Sequence, residues 1–268
     1  AVGPHRGLHR LCSTSRVVRA FVSVSEVPPC RPRSDRHAQK MSSTTESTLR
    51  YGRQGGSRRV VFGHGVGGLD LYANTFIRDM VERWSKDPRL SHIEFVVPIA
   101  PTRSVGLTGG AEVPAWFDCE KEESAKSVWN VDGWKVNREH LEDSMRAYVD
   151  YATRDGGALE TTVFAGFSNG GAQAIFTGLQ TPCAGILVLS SVLVDDNMSI
   201  DETPKPVLLC VGDADPYVSV AAATATQKAI AESAKVEVEL KVYNKMEHAA
   251  CDEAIAACAD WLAKVLKE

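Results

Sequence analysis

The feature that most constrains the fold of this chain is an alternation, from about residue 58 onward, between short apolar runs and longer segments of helical period. Such an alternation is typical of strand–helix–strand units, which build parallel sheets. Most runs are continuously apolar, as strands buried on both faces are, whereas the last one alternates and is expected at a sheet edge. The runs are 59–63, 93–98, 161–166, 185–191, 206–212 and 236–243. The pattern predicts a three-layer α/β domain with a mostly parallel central sheet covered by helices on both faces.

The first 40 residues differ in charge from the rest of the chain. They hold eight Lys and Arg against two acids, a net charge of +6, so the remainder holds 22 basic and 32 acidic residues, a net charge of −10. A basic, acid-poor leader that contains serine is typical of an organelle transit peptide. The other interpretation is upstream sequence in front of an ordinary start at Met41. Under both, we expect residues 1–55 to be a disordered leader and residues 56–268 to form one globular domain.

The composition of the chain argues against several classes of function. The acidic balance after residue 40 disfavours nucleic-acid binding. No run reaches the roughly 18–20 apolar residues of a membrane-spanning helix, so any membrane contact is expected to be peripheral. The seven cysteines are an odd number without a CxxC pair, which argues against a disulfide framework and a zinc site. We expect free thiols, no metal and a cytoplasmic location, or an organelle if the leader is a genuine transit peptide.

One strand end carries a motif for a nucleophile. The run 161–166 continues into the pentapeptide GFSNG at 166–170, and residues of helical character follow. A GxSxG pentapeptide alone is a weak signal. A nucleophile elbow, however, requires a sharp turn between a strand and a helix, with glycines where the two approach. Because the sequence provides that context, it predicts Ser168 as a nucleophile.

A serine nucleophile needs a base and an acid further along the chain. Only one histidine follows Ser168, and it is His248, in the loop after the last predicted strand. Two carboxylates, Asp213 and Asp215, follow the strand 206–212. Either could instead cap a turn, and position alone does not choose between them. The sequence therefore predicts a triad whose acid is one of these two aspartates.

The negative oxygen of a tetrahedral intermediate needs preorganised amide donors. One is the amide of Asn169, the residue after the nucleophile. The other is expected from the glycine-rich turn GHGVGG at 63–68, which follows the first predicted strand. A phosphate-binding loop is the rival interpretation of this turn. It is weak, because the turn does not have the spacing of a Walker A motif and no Lys follows the glycines.

Several separated blocks, in the right order, resemble the acyl-protein thioesterase and lysophospholipase-like carboxylesterases of the α/β-hydrolase class. The resemblance extends over about residues 58–266. The blocks are VVFGHGVGG (60–68), PIAPTRSVGLTGG (98–110) with AWFD (115–118), AGFSNGGAQAIF (165–176), GDADPYV (212–218) and YNKMEHAAC (243–251).

This resemblance implies an α/β-hydrolase fold in which Ser168 is the nucleophile, His248 the base and Asp215 the acid. It puts the oxyanion-binding amides on Val66 and Asn169. The substrates that it implies are S-acylated proteins, lysophospholipids or short activated esters, hydrolysed without a metal or an organic cofactor. We expect the protein to be a monomer or a weak homodimer.

The chain departs from the family pattern at a few positions. Ile99 stands where the family usually has His, Asn169 replaces a usual Gln, and Lys245 and Ala249 replace a Gly and a Ser. Asn169 donates through its backbone, so the oxyanion function is expected to survive. The changes around the pocket bear on the preference for chain length and for protein substrates.

A long segment, 104–131, separates a predicted strand from the next helix. Connections of this length without clear structure are usually functional lids or disordered links. The segment contains aromatic residues beside charged ones. We therefore expect a lid that bounds an apolar groove leading to Ser168, with Trp116 and Phe117 as candidates for the substrate pocket.

Two other functions stay open on the sequence. A general carboxylesterase for small esters would use the same triad and the same elbow. A non-catalytic receptor on the hydrolase scaffold is the second alternative, because a fold does not fix a function. The complete set of Ser, His and Asp favours an enzyme over a receptor.

Overall fold

A seven-stranded sheet organises the part of the chain that a computed structural model describes, residues 48–121, 134–234 and 236–268. These residues belong to a unit that runs from Thr45 to Glu268. The strands of the described residues are β1 (Thr48–Gly52), β2 (Arg58–Gly63), β3 (Ile93–Pro98), β4 (Thr102–Val105), β5 (Ala111–Pro114), β6 (Cys119–Lys121), β7 (Trp134–Val136), β8 (Thr162–Phe167), β9 (Gly185–Leu189), β10 (Val207–Gly212) and β11 (Val238–Tyr243). The large sheet has the order β1-β3-β2-β8-β9-β10-β11, and β4–β5 and β6–β7 form two small antiparallel pairs.

Helices cover both faces of the large sheet. They are α1 (Phe76–Lys86), α2 (Arg138–Thr153), α3 (Asn169–Leu179), α4 (Val220–Ala234) and α5 (Asp252–Val265). The apolar sides of α2, α3 and α4 share one buried cluster with the sheet, and those of α1 and α5 share another. Neighbouring residues of a strand point into opposite clusters, as Val60 and Val61 of β2 do. The predicted three-layer α/β architecture is confirmed.

The six apolar runs of the sequence all form strands of the large sheet. Every residue of β3, β8, β9 and β10 is buried, which explains why these runs are almost entirely apolar, with Glu94 of β3 as the charged exception. The alternating run forms β11, which lies at one edge of the sheet and is only partly buried. The edge position predicted for it is confirmed.

The predicted boundary at residue 56 is wrong, because β1 begins at Thr48. This strand pairs antiparallel with β3 at the other edge of the sheet, and Leu49 and Tyr51 pack against the cluster that α1 and α5 share. All but one of its residues are only half-buried, so β1 lacks the continuous apolar pattern of the inner strands. The part of the predicted leader from 1 to 47 lies outside the described residues.

Two ion pairs that share Glu94 join the strands β1, β2 and β3. Arg59 and Glu94 lie on neighbouring strands with fully buried side chains, and Arg59 Nη2 donates to Glu94 Oε2 over 2.6 Å. Arg50 of β1 forms a second ion pair with Glu94. Arg59 also donates to the carbonyl groups of Tyr151 and Ala152 near the end of α2. The pair therefore fixes the first strands and α2 against one another.

The segment predicted as a lid, 104–131, contains regular structure in its first half. The β4–β5 hairpin and β6 fall within or next to it, and residues 122–133 lie outside the described residues. Trp116 and Phe117 are almost completely buried. They belong to the cluster that α2, α3 and α4 share with the sheet. The expectation that they cover a groove is therefore corrected, because both rings pack in the core.

Candidate active site

Ser168 lies at the sharp turn between β8 and α3. Its backbone has φ 53° and ψ −121°, a region that residues with a side chain rarely adopt. The turn is possible because glycines surround it: a Cβ atom at Gly166 would lie 2.3 Å from the carbonyl oxygen of Gly170. The Ser168 amide donates to the Leu189 carbonyl over 3.0 Å. The strained turn is thus held by the neighbouring strand, as a nucleophile elbow requires.

The side chains of Ser168, His248 and Asp215 form one unbroken line of hydrogen bonds. His248 Nε2 lies 3.0 Å from Ser168 Oγ, and His248 Nδ1 lies 2.9 Å from Asp215 Oδ2. Both distances are within the range of a direct hydrogen bond. The three residues come from the ends of three different strands, so the fold brings together groups that are up to 80 positions apart.

Asp215 is oriented by the backbone that follows it. Its Oδ1 accepts from the amides of Tyr217 and Val218, each over 2.9 Å, which leaves Oδ2 for His248. Burial alone would raise the pKa of Asp215. The hydrogen bond to His248, the charge interaction with it and the two amide hydrogen bonds lower this pKa by more, so it lies below its ordinary value. The carboxyl group is therefore ionised at neutral pH.

The other candidate acid has a different partner. Asp213 Oδ1 accepts from the amide of Lys245 over 2.6 Å. Lys245 has a φ of 58°, which is uncommon for a residue with a side chain, and the Asp213 carboxylate supports this turn. Asp213 holds the loop that carries His248, and Asp215 contacts the imidazole itself.

Two aromatic rings flank the imidazole of His248. The ring centroid of Phe167 lies 4.7 Å from that of His248, and Tyr217 meets it edge-on at 4.9 Å. Phe167 is buried, whereas Tyr217 is 48% exposed. Contacts on two sides restrict the rotation of the imidazole, and the outer ring gives the site an apolar margin.

The two amides predicted for the oxyanion hole both lie next to Ser168. Asn169 is the first residue of α3, so its amide precedes the hydrogen-bonded turns of the helix. Val66 lies in the turn after β2, and a Cβ atom at its neighbour Gly65 would come within 3.2 Å of Ser168 Cβ. Within the described residues, neither the Val66 nor the Asn169 amide donates to a protein acceptor. Both amides are thus available to a substrate.

The side chain of Asn169 ties the elbow to the segment that contains Trp116. Its Oδ1 accepts from the Trp116 amide over 2.8 Å, and its Nδ2 donates to the Phe117 carbonyl over 3.2 Å. The Trp116 indole donates in turn to the carbonyl of His64 over 2.9 Å. Trp116 therefore contacts both segments that are predicted to bind the oxyanion, and Phe117 contacts the one at Asn169.

Two residues of this region were not assigned a role from the sequence, His64 and Asn74. His64 is buried, and burial lowers its pKa to about 4, although its hydrogen bond to the Gly65 carbonyl opposes the shift. Asn74 is 1% exposed and contacts the turn that carries Val66. His64 was visible in the glycine-rich motif, but Asn74 has no recognisable signal, because its contacts come from the fold.

The described residues contain no group of three or more His, Cys, Asp or Glu side chains that could hold a metal ion. Nor does any helix in the described ranges have the length and apolar character needed to cross a membrane.

Comparison with known proteins identifies the family of the chain. A family model described as phospholipase/carboxylesterase matches residues 47–266, which is most of the chain and nearly all of its described part. The chain belongs to this family. The match begins one residue before β1, in agreement with the corrected boundary of the domain.

Curated relatives of the chain include fungal proteins named acyl-protein thioesterase 1. The protein from Mycosarcoma maydis is 32% identical over 202 residues, which cover 70% of this chain and 84% of the relative. The one from Neurospora crassa is 29% identical over 221 residues, which cover 77% of this chain and 86% of the relative. The family membership predicted from the separated sequence blocks is confirmed.

Solved structures support the fold. Arabidopsis thaliana SOBER1 superposes with a TM-score of 0.66 at 22% identity, covering 78% of this chain and 99% of that one. Zea mays acyl-protein thioesterase 2 gives a TM-score of 0.66 at 22% identity, covering 82% of this chain and 98% of that one. At this level of identity the likeness concerns the fold alone, and it confirms the α/β-hydrolase architecture.

Proposed function

We propose that the protein hydrolyses acyl thioesters and esters, with Ser168 as nucleophile, His248 as base and Asp215 as orienting acid. The observation that carries this proposal is the line of two hydrogen bonds, 3.0 and 2.9 Å long, that joins the three side chains. A serine hydroxyl becomes nucleophilic when an adjacent imidazole takes its proton, and the carboxylate fixes the imidazole and stabilises its charged form. Membership of the phospholipase/carboxylesterase family supports the same chemistry.

The reaction follows from these positions in two steps. Ser168 Oγ attacks the acyl carbon while its proton passes to His248 Nε2, and the oxygen that becomes negative accepts from the Val66 and Asn169 amides. The intermediate collapses, and His248 gives its proton to the leaving thiolate or alkoxide. Water then attacks the acyl-enzyme, with His248 again taking and returning the proton, which releases the acid and restores Ser168.

S-acylated proteins and lysophospholipids are the substrates that we propose. The names of the fungal relatives favour thioesters of proteins. Two of the large apolar residues that are most exposed, Leu71 and Tyr217, belong to the loop after the oxyanion turn and to the wall beside His248. Apolar groups at these places suit an acyl chain. The free thiols of the five described cysteines agree with a reducing compartment, and we propose the cytoplasm.

The test of the nucleophile compares the wild-type protein with two serine variants. Ser168→Ala should abolish labelling by a fluorophosphonate probe and lower kcat by on the order of 10³ or more, with the fold intact by circular dichroism. Ser191→Ala is a matched control, since the Ser191 hydroxyl donates to the Ser168 carbonyl, over 2.7 Å, and has no other hydrogen-bond partner in the part of the chain that the structure describes. It should keep the labelling. Labelling that persists in Ser168→Ala would move the nucleophile elsewhere.

The choice of substrate is tested on the wild-type protein. A palmitoylated peptide thioester should be hydrolysed with a higher kcat/KM than acetyl aryl esters, because each buried CH₂ group adds up to about 0.8 kcal/mol of binding. A flat profile from acetyl to palmitoyl would favour the general carboxylesterase. The absence of turnover with every ester and thioester, together with the absence of labelling, would favour the non-catalytic receptor.

A further inference from the structure

The tautomer of the buried histidine, His64, is fixed by its two neighbours. Its Nε2 lies 2.9 Å from the amide of Ala100. A backbone amide can only donate, so Nε2 is the acceptor and carries no proton. The proton of the neutral ring is therefore on Nδ1, which lies 2.6 Å from the carbonyl oxygen of Gly65 and donates to it. His64 thus holds one specific carbonyl group of the turn.

That carbonyl belongs to the peptide unit whose other end is the Val66 amide. The peptide is planar and trans, so its C=O and its N–H point in opposite directions. Since the imidazole of His64 holds the carbonyl of Gly65, the N–H of Val66 must point away from the imidazole. The side chain of His64 thereby sets the direction of the Val66 N–H, which lies at the opposite end of the same peptide unit.

Asn74 fixes the two peptide units on either side of this one. Its Oδ1 accepts from the Gly65 amide over 2.8 Å, and its Nδ2 donates to the Val66 carbonyl over 2.7 Å. The Gly67 amide, next in the chain, donates to the Pro114 carbonyl over 2.9 Å. Three consecutive peptide units are therefore held, and the Val66 N–H is the group in them that has no protein acceptor among the described residues.

The same contacts relate the two oxyanion donors to each other. Trp116 donates through its indole to the His64 carbonyl and through its amide to Asn169 Oδ1. One residue thus joins the turn that carries Val66 to the helix start that carries the Asn169 amide. A rigid link of this kind keeps two donors at a fixed separation, which a preorganised oxyanion hole requires.

We propose that His64, in its neutral form with the proton on Nδ1, is a positioning residue that directs the Val66 amide toward the oxyanion of the tetrahedral intermediate. The proposal rests on the proposed function, because it explains how the Val66 amide is oriented for that reaction. Asn74 holds the same turn from the other side. Among the described residues, the His64 ring makes hydrogen bonds to backbone groups and none to Ser168, so its effect passes through one peptide unit.

Two substitutions separate the two nitrogens of the imidazole. In His64→Asn, the side-chain amide can take the place of Nδ1–H and keep donating to the Gly65 carbonyl. In His64→Gln, the side-chain oxygen can take the place of Nε2 and keep accepting from the Ala100 amide, but no donor remains for Gly65. We expect kcat for a chromogenic ester to fall by on the order of 10- to 100-fold in His64→Gln and by less than about threefold in His64→Asn, with KM nearly unchanged in both.

A transition-state analogue shows whether His64 affects the orientation of the Val66 amide or only the stability of the protein. A trifluoromethyl ketone forms a tetrahedral adduct that carries the negative oxygen, so its Ki should rise in His64→Gln by the same factor by which kcat/KM falls. Equal kcat in the two variants, or a loss confined to KM, would overturn the proposal. Fluorophosphonate labelling of the wild-type protein reports separately on the proposed function, because it tests Ser168 whatever the role of His64.

A second pair of variants covers the case in which His64→Gln does not fold. Asn74→Ala removes the side chain that holds the two flanking peptide units. It should also lower kcat and raise the Ki of the ketone. Asn137→Ala is its matched control, since Asn137 caps the start of α2 with its side chain and lies outside the proposed machinery. The control should lower Tm and leave kcat unchanged. If Asn74→Ala lowers Tm but leaves kcat and Ki unchanged, the turn does not need to be held and the proposal fails.

Discussion

At the scale of the residue, the two aspartates after β10 do different work although they are two positions apart. Asp215 contacts the imidazole of His248, and Asp213 holds the turn at Lys245. Both follow a buried strand and both accept backbone amides, so the sequence around them does not separate their roles. Only the family resemblance chose Asp215, and the hydrogen bonds support that choice.

We expect Asp215→Asn to lower kcat by on the order of 10³ to 10⁴, and Asp213→Asn by less than about tenfold. The amide of the first variant places a donor where Nδ1–H needs an acceptor, which favours the wrong imidazole tautomer. The second variant retains an acceptor for the Lys245 amide. Steady-state kinetics on one chromogenic ester would measure both. If the Asp213 variant lost more activity, the acid would be Asp213.

The nucleophile and the base that we propose could be inferred from the sequence because each has a local signal. Ser168 lies in a GxSxG turn between a strand and a helix, and His248 is the only histidine after it. Asn74 could not be predicted, because its three partners are backbone groups that the fold brings to it. The burial of Trp116 could not be predicted either, because an aromatic residue in a long segment can equally line a pocket or pack in the core.

At the scale of the element, the strands divide by burial into those that the sequence predicted and those that it did not. The inner strands are buried on both faces and read as apolar runs. β1, β4 and β5 are short and largely half-buried or exposed, so their residues resemble those of loops. Their pairing partners, and not their own composition, make them strands.

The edge strand β1 provides a test of the corrected boundary. Deleting residues 1–40 should leave Tm and esterase activity almost unchanged, as the sequence predicts. Deleting residues 1–53 should lower Tm by on the order of 5 to 10 °C, because it also removes Leu49 and Tyr51 from the core and Arg50 from Glu94. Thermal unfolding followed by circular dichroism would measure both. Identical Tm values for the two truncated proteins would mean that β1 contributes nothing to the stability of the domain.

At the scale of the whole molecule, the site exists only where the carboxyl ends of several strands meet. The oxyanion turn follows β2, Ser168 follows β8, Asp215 follows β10 and His248 follows β11. In parallel sheets these ends lie at one edge, which is where sites of this class of fold gather. The geometry of the site therefore depends on the folding of the whole sheet, whose stability varies with solution conditions.

One such condition is pH, through His64. Its pKa is lowered from 6.5 to about 4 by burial, so between these values the unfolded chain binds the proton more readily than the folded one. This contribution to stability is complete above pH 6.5 and is lost as the pH falls toward 4. Between pH 7 and pH 5 the wild-type protein should lose about 2 kcal/mol of unfolding free energy from this group.

The variant His64→Asn has no such group, so the difference in unfolding free energy between it and the wild-type protein should narrow over the same interval. Urea unfolding at pH 7, 6 and 5 would measure it. A difference that is the same at all three pH values would mean that His64 has the same pKa in the folded and unfolded chain.

The proposed oxyanion donors are backbone amides, which has a consequence for the tolerance of the chain to mutation. A side-chain substitution at Val66 leaves its N–H in place, so the position that carries the donor can vary while the function persists. Mutations are then tolerated less at His64 and Asn74, which hold the backbone of this turn and are proposed to make no contact with the substrate. Substitutions in this chain would then be restricted at positions that act on the reaction only indirectly, and a mutational scan of the triad alone would miss them.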